Sequence, residues 1–409
     1  MGEACFIGVD LGTSSIKAVL ADPRGRVLAR EKRATELVRP SPGFVEFSSP
    51  RCYGLLCEVV RALLKAAPAG SRVKALALSG AAGDTVLMDK RGEPLCPAVS
   101  WMDSRAEQDP ACDPPGIRVP DIYRIVGWPW FRGFPLAHLA WLRKNNRATW
   151  EKASVYAMNI TFLYHRLTGR WGMDHSTATT FFLQDQVKRT WHEPFLDFLG
   201  LTEKQLPPLL PSGAALGKLT QQAAAETGLS RDTAVVMGAF DHPSAARGCG
   251  VLKPGDVMLS CGTSWVGFYP LPDRELALSQ QMLVDPFLAP GGPWGALFSL
   301  PKVGEEVQAF VERTFAGSYD RFNEAAEKPG PSRTMMERIA GDAAKRMDEL
   351  AKAGLAANRV VMVGGPSESP VWPGILQKLI GLKIEIPEAG SYAGALGAAL
   401  LAGAKRRNS

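Results

Sequence analysis

Four short stretches place residues capable of chemistry at the ends of apolar runs. The first is Asp10-Leu11-Gly12-Thr13-Ser14-Ser15 with Lys17, which directly follows Phe6-Ile7-Gly8-Val9. Glycine lets a phosphate oxygen approach the backbone, amides and hydroxyls donate hydrogen bonds to it, and an Asp at a strand end can hold Mg²⁺, usually through water. The same letters also make a hairpin turn with polar decoration, although two-residue hairpins favour Asn-Gly or Asp-Gly. The second stretch, Ser260-Cys261-Gly262-Thr263-Ser264, repeats the pattern in the other half of the chain. Two such turns could grip adjacent phosphates from opposite sides of a cleft, and together they predict a nucleotide site.

The third stretch is Asp241 in "MGAFDHPSAARGCG". A carboxylate between an apolar strand and a helix of small residues could take a proton from a substrate hydroxyl while the helix amino terminus faces developing negative charge. An ordinary helix cap uses the same residue at the same place. The fourth is "GGPSESPVW" at 364–372. Gly364 and Gly365 after a strand permit a flat ring such as a purine to lie on the backbone, with Ser367 or Ser369 starting the next helix. A plain strand-to-helix turn fits these letters equally well.

The elements that must position these residues follow from hydrophobic periodicity. Residues 4–10, 15–21 and 26–32 read as three strands of an antiparallel meander, with "DPRG" at 22–25 as the second turn. Apolar spacing predicts a helix over 52–66 and a strand over 73–80, which suggests a crossover to a parallel strand. Helices are expected over 135–145 and 153–168, and 203–236 reads as a connecting zone that contains the helical "QQAAAETGL" and the strand "TAVVMGAFD". Strand, turn and strand recur over 256–270. A helix at 332–353, a strand at 359–365, and helices at 371–380 and 393–403 complete the chain.

At 409 residues the chain exceeds one ordinary core, which predicts two domains, 1–230 and 231–409. A hydrophobic share of 46%, a charged share of 22% and a net charge of +6 describe a water-compatible globular protein. The charges are interleaved, so neither a nucleic-acid surface nor a membrane partner is expected, and Lys405-Arg406-Arg407 reads as a solvated tail. The seven cysteines show no regular spacing and no charged leader opens the chain, which together predict a cytoplasmic location. The five histidines are scattered and suggest no tightly held transition metal.

The order of these motifs resembles the FGGY family of carbohydrate kinases, whose members include xylulokinase and glycerol kinase. That family opens with D-x-G-T-x-x-x-K in a hairpin and carries a W-x-D-x-R-like segment, matched by Trp101-Met102-Asp103-Ser104-Arg105. A P-x-x-K-L-x-W-L-like helix is matched by "PLAHLAWL" with His138 for lysine, and a "TG" turn with a following Asp by Thr168-Gly169 and Asp174. The G-x-x-D strand end, the S-x-GTS turn, the GG-x-x-x-S-x-x-W segment and the "ALGAA" helix follow in order. The resemblance implies an α/β fold of two ribonuclease-H-like, actin-like ATPase domains closing over ATP, Mg²⁺ and a small sugar or polyol. It implies Asp241 as general base, Asp10 at the metal, and phosphate contacts from Gly12, Thr13, Ser14, Ser15, Lys17, Gly262, Thr263 and Ser264. Gly364, Gly365 and Ser369 would line the adenosine site, and Asp84, Trp101, Asp103 and His242 are the expected substrate contacts. A homodimer is compatible with this reading, and the sequence leaves the oligomeric state open.

Four departures qualify the resemblance. Where ketose-directed members carry G-Q-M-H-G, this chain has Gly80-Ala81-Ala82-Gly83-Asp84, and the Arg-Glu pair of glycerol kinase is absent. Ile160-Thr161 replaces the Lys-Asp pair before "TG". Between about 315 and 332 the chain has only "AGSYDRFNEAAEKPGPS" in place of a longer insertion, close to the nucleotide side. Loss of that segment motivates an alternative, a non-catalytic nucleotide or metabolite sensor built on the same fold.

Overall fold

The chain opens with the expected meander, β1 (Ala4–Leu11), β2 (Ser15–Ala21) and β3 (Val27–Ala34), in a computed structural model that describes residues 3–81, 83–289 and 291–404. α1 (Ser49–Ala66) follows, started by the Ser48 side chain, which accepts from the Arg51 amide, and by Pro50 in the first turn. Its Leu55, Leu56, Val59, Val60 and Leu63 are buried, the stripe expected of a helix lying on a sheet. The chain then returns as β4 (Arg72–Gly80), parallel to β1. An edge strand β5 (Ala215–Lys218) and β6 (Ala234–Phe240) finish a six-stranded sheet in the order β5-β6-β4-β1-β2-β3. β1, β4 and β6 are apolar on both faces because helices cover both sides.

After α2 (Asp241–Gly248) the plan repeats. β7 (Asp256–Cys261) and β8 (Trp265–Leu271) form a second hairpin, joined by β9 (Leu283–Asp285) and β10 (Trp294–Leu300) on one side. β11 (Arg359–Val363) and β12 (Ile384–Glu385) lie on the other side, both parallel to β7, directly or in succession. The order β9-β10-β8-β7-β11-β12 mirrors the first sheet around its hairpin. α3 (Val303–Phe315), α4 (Tyr319–Ala326), α5 (Pro331–Lys352) and α6 (Trp372–Ile380) enclose this second sheet.

Three expectations are corrected. The boundary near 230 falls too early, because β6 pairs parallel with β4 inside the first sheet; we place the division between Gly248 and Asp256. Residues 153–168 are not one helix: Val155–Ala157 is a strand antiparallel to Val86–Met88, and Asn159–Thr168 is the helix, with extended Met158 between them. The connecting zone 203–236 contributes β5 to the sheet edge. No described helix is long and apolar enough to cross a membrane.

The two halves meet along α7 (Ala393–Gly403), which leaves the second half and lies on β1 and α2 of the first. Small residues make this approach possible. A Cβ on Gly397 would stand 1.7 Å from the Ser244 carbonyl oxygen, one on Gly248 2.1 Å from that of Ala393, and one on Gly8 1.8 Å from that of Ala395. A second junction forms where residues 282–285 reach the first half. Val284 N donates to Gly127 O at 2.8 Å, Tyr123 Oη to Met282 O at 2.6 Å, and Ser176 Oγ to Asp285 Oδ2 at 2.6 Å. Gly397→Ala is therefore expected to destabilise the protein by about 1–3 kcal/mol through overpacking. Gly341→Ala in α5, where a Cβ meets nothing within 4 Å, is expected to stabilise it by up to about 1 kcal/mol. Denaturant unfolding of the two variants checks both signs.

Candidate active site

The two hairpin turns face each other across one cleft. In the first, Gly12 N donates to Ser15 O at 3.0 Å, which closes the turn, and Thr13 O accepts from Thr35 Oγ1 at 2.6 Å. In the second, Gly262 N donates to Ser264 O at 3.2 Å, and Gly304 N at the start of α3 donates to Thr263 O at 2.8 Å. Thr13 and Ser14 line the same cleft, about 420 Å³ in volume, as Gly262, Thr263 and Ser264. Gly262 and Thr263 also line a second pocket of about 550 Å³ within the second half, walled by Gly365, Ser369, Tyr319 and Asn323. The second turn thus stands between a ligand-sized pocket and the cleft between the halves.

Asp241 is the first residue of α2, and Phe240 occupies the cap position with no side-chain cap hydrogen bond. The capping role that its sequence position allows is therefore not the one it fills. Its Oδ1 is sealed from solvent and has no hydrogen-bond partner, although 30% of the side-chain surface stays open toward the cleft. Burial pushes this carboxyl up to about 7, and the His242 amide offsets part of the rise. Asp10 lies close enough to feel the same charge. Burial first and the Asp241 charge second push it up to about 6, while Lys17 and the Ser79 hydroxyl, which donates to Oδ1 at 3.1 Å, pull it down. His242, whose Nε2 is 3.8 Å from Asp241 Oδ1, is driven down to about 4 by burial and is a neutral imidazole at pH 7.

The other expected residues divide. Trp101 lines the cleft, and its Nε1 donates to Thr13 Oγ1 at 2.9 Å. Gly12 faces a smaller cavity behind it, and Ser15 is buried in β2. Lys17 is not at the phosphate turn: it pairs with Asp10 in the β1–β2 register and its Nζ donates to Ser391 O at 2.7 Å. Gly365 and Ser369 line the second pocket, whereas Gly364 serves packing, since with φ of +96° its Cβ would stand 2.2 Å from Cys261 O. Asp84 accepts from Asn159 N at 2.6 Å and lines the smaller cavity behind Thr13 and Trp101. Asp103, 1% exposed, accepts from Val45 N at 2.6 Å and from Arg105 Nε and Nη2 at 2.8 Å. Neither carboxylate reaches the cleft.

Several lining residues escaped the motif reading. Trp128, Phe131 and Phe134 come from the run "WPWFRGF", whose aromatic density was the available signal, and Phe240 precedes the singled-out Asp241. α4, from the shortened segment 315–332, supplies a wall of the second pocket: Phe322 is buried and Asn323 Oδ1 accepts from Ser369 Oγ at 2.8 Å. Among the described residues no three His, Cys, Asp or Glu side chains cluster to hold a metal ion.

Comparison with known proteins accounts for this arrangement. Residues 5–248 match the model of the FGGY family of carbohydrate kinases, N-terminal domain, and residues 257–405 match that of the C-terminal domain. The chain is 27% identical to the xylulose kinase of Escherichia coli K12, over 97% of this chain and 89% of that protein. It is 26% identical to the autoinducer-2 kinase of Photorhabdus laumondii, over 97% of this chain and 85% of the relative. The crystal structure of xylulose kinase from Rhodospirillum rubrum superposes with a TM-score of 0.86 at 22% identity, covering 99% of this chain and 91% of that one. That likeness gives the fold, the two-domain α/β architecture of the actin-like ATPases, as the resemblance implied. With both halves matched in order, the chain belongs to the FGGY family of carbohydrate kinases, phosphotransferases that use ATP as co-substrate.

Proposed function

We propose that the protein transfers the γ-phosphoryl group of ATP to a hydroxyl of a small sugar or polyol bound in the cleft between its halves. The adenosine lies against Gly365 and Ser369, and the phosphates pass over Gly262, Thr263 and Ser264 toward Thr13 and Ser14. The bond from the γ-phosphorus to the bridging oxygen of ADP breaks as a bond to the acceptor oxygen forms, and the acceptor proton goes to Asp241. The observation that carries the reading is the Asp241 carboxyl, with Oδ1 sealed and unpartnered and 30% of the side chain still open, on a cleft bordered by both phosphate-gripping turns. A carboxyl held near 7 is matched to accepting a proton at neutral pH. His242, neutral, adds a hydrogen-bonding edge without a competing charge.

Asp10 fits a divalent cation. It is an acid whose charge is opposed by burial and by Asp241, a conflict that a cation relieves. With no cluster of three protein ligands among the described residues, Asp10 would hold Mg²⁺ through water while phosphate oxygens supply other ligands. When bound, the ion neutralises phosphate charge. The chain's own residues do the remaining work: the turns align the phosphates, Asp241 takes the proton, and closure of the two halves excludes water.

A coupled ADP-release assay with Mg²⁺ and ATP across ketoses, aldoses and polyols tests this function. Acceptor-dependent ADP release is expected, whereas ADP release that no acceptor changes would contradict the reading and favour a nucleotide sensor. Asp241→Asn is expected to lower kcat by about 10²–10⁴-fold with ATP binding retained. For the native enzyme, kcat/KM is expected to rise with pH through an apparent pKa near 7, because the base must be ionised. The same shift has a stability consequence of defined sign. With the folded pKa of Asp241 above the 3.8 of an ordinary aspartate, the folded state binds more protons between about pH 4 and 7, and stability falls as pH rises through that window. Thermal melts should therefore show Asp241→Asn more stable than the native protein by about 2 °C or more at pH 8, with the difference gone by about pH 4.

A further inference from the structure

The cleft around Asp241 is poor in groups that could pair with substrate hydroxyls. Trp101, Trp128, Phe131, Phe134 and Phe240 face it from the first half, and Leu283 and Leu297 face it from the second. Both indole N–H groups are already used within the protein, Trp101 on Thr13 Oγ1 at 2.9 Å and Trp128 on Val284 O at 3.1 Å. The rings present faces and edges only. They are also fixed in place: Phe134 stacks on Phe182 with centroids 5.0 Å apart, and Trp128 meets Phe134 and Phe240 edge-on at 5.6 and 5.7 Å.

A side chain at Gly83 of the neighbouring loop would have no room on this wall. Gly83 has a φ of +87°, and a Cβ there would stand 2.7 Å from the Phe134 ring and 3.1 Å from Trp101 Cβ. Asp103 is taken by Val45 N and Arg105, and Asp84, whose Oδ1 accepts from Asn159 N, lines a separate cavity of about 50 Å³ behind Thr13 and Trp101, too small for a sugar ring, and not this cleft. Beside the serine and threonine hydroxyls of the two turns, the polar side chains left on this cleft are Asp241 and His242, together with Ser260 and Ser299 near the second turn. That supply suits one reacting hydroxyl and the phosphates. A site without partners for further hydroxyls penalises an acceptor that must desolvate them, and aromatic faces reward C–H surface instead.

We propose that the acceptor is a small alcohol of low hydroxyl count, a deoxy or alkyl-bearing sugar or sugar alcohol whose reactive hydroxyl borders an apolar C–H surface, in preference to a fully hydroxylated ketose or polyol. This rests on the kinase reading above for the transfer step, and it places the acceptor body against the aromatic wall with its hydroxyl at Asp241.

Matched pairs test it in the full chain: glycerol against 1,2-propanediol, D-ribose against 2-deoxy-D-ribose, and xylitol against 1,2-pentanediol. Binding is read by quenching of tryptophan fluorescence in the presence of a non-hydrolysable ATP analogue, and transfer by ADP release with ATP. The deoxygenated member of each pair is expected to bind about tenfold tighter and to show the higher kcat/KM. Phe131→Gln, at a ring 46% exposed and therefore tolerant of change, is expected to shrink that preference severalfold. Tighter binding of the fully hydroxylated members, or no measurable binding of the deoxygenated ones, overturns the inference. A binding preference for the deoxygenated members without ADP release would uphold the acceptor class and contradict the kinase reading, so the two failures are distinct.

Discussion

The contact on which the rest depends is backbone against backbone, where α7 crosses α2 and β1 through Gly397, Gly248 and Gly8. At those separations no side chain fits, so the helix from the second half lies directly on the strand that ends in Asp10 and on the helix that begins with Asp241. One crossing thereby sets the spacing between the two hairpin turns. A shift there would separate Thr13 and Ser14 from Gly262 and Thr263 and dissolve the cleft they share. The turns are common local structures. Their opposition across a fixed junction gives them a use, because phosphoryl transfer relies on alignment and charge neutralisation.

The site stores electrostatic cost that the fold must carry. Asp10 and Asp241 are two partly buried acids held near each other, each raised well above an ordinary carboxyl. Among the described residues neither pairs with a Lys or Arg in a salt bridge: Lys17, whose charge lowers the Asp10 pKa, has its Nζ on Ser391 O. By contrast Asp84 and Asp103, equally acidic in sequence, are satisfied by backbone amides or an arginine and act as struts. Carboxylates that knit loops together thus find partners, and Asp241, which would take a proton, is left without one.

Much of the scaffold was legible because it rests on local rules. Both hairpins, the crossover helix α1 and the terminal helix α7 follow from apolar periodicity and turn residues, and their observed bounds lie within a few residues of expectation. The domain boundary was misplaced because β6 follows a Pro- and Gly-rich stretch, whereas the sheet it joins is fixed by long-range pairing with β4. The same limit governs the site. That Thr13, Ser14, the second turn and Asp241 share one cleft agrees with their type and position, whereas Gly12, Ser15 and Lys17 of the same motif face elsewhere, and whether Asp103 faces substrate or Arg105 depends on a loop conformation that spacing does not encode. The aromatic wall was visible as "WPWFRGF" and lacked meaning until Phe240 and Phe182 were placed against it.

The central claim is that one nucleotide spans from the second-half pocket to Asp241 by way of both turns. A crystal structure with Mg²⁺ and a non-hydrolysable ATP analogue tests it most directly. Adenosine is expected against Gly365 and Ser369, phosphates over Gly262 and Thr263, and the γ-phosphate facing Thr13 and Ser14 with the Asp241 carboxyl free beside it. Nucleotide bound outside this pocket, or a terminal phosphate directed away from Asp241, would contradict it.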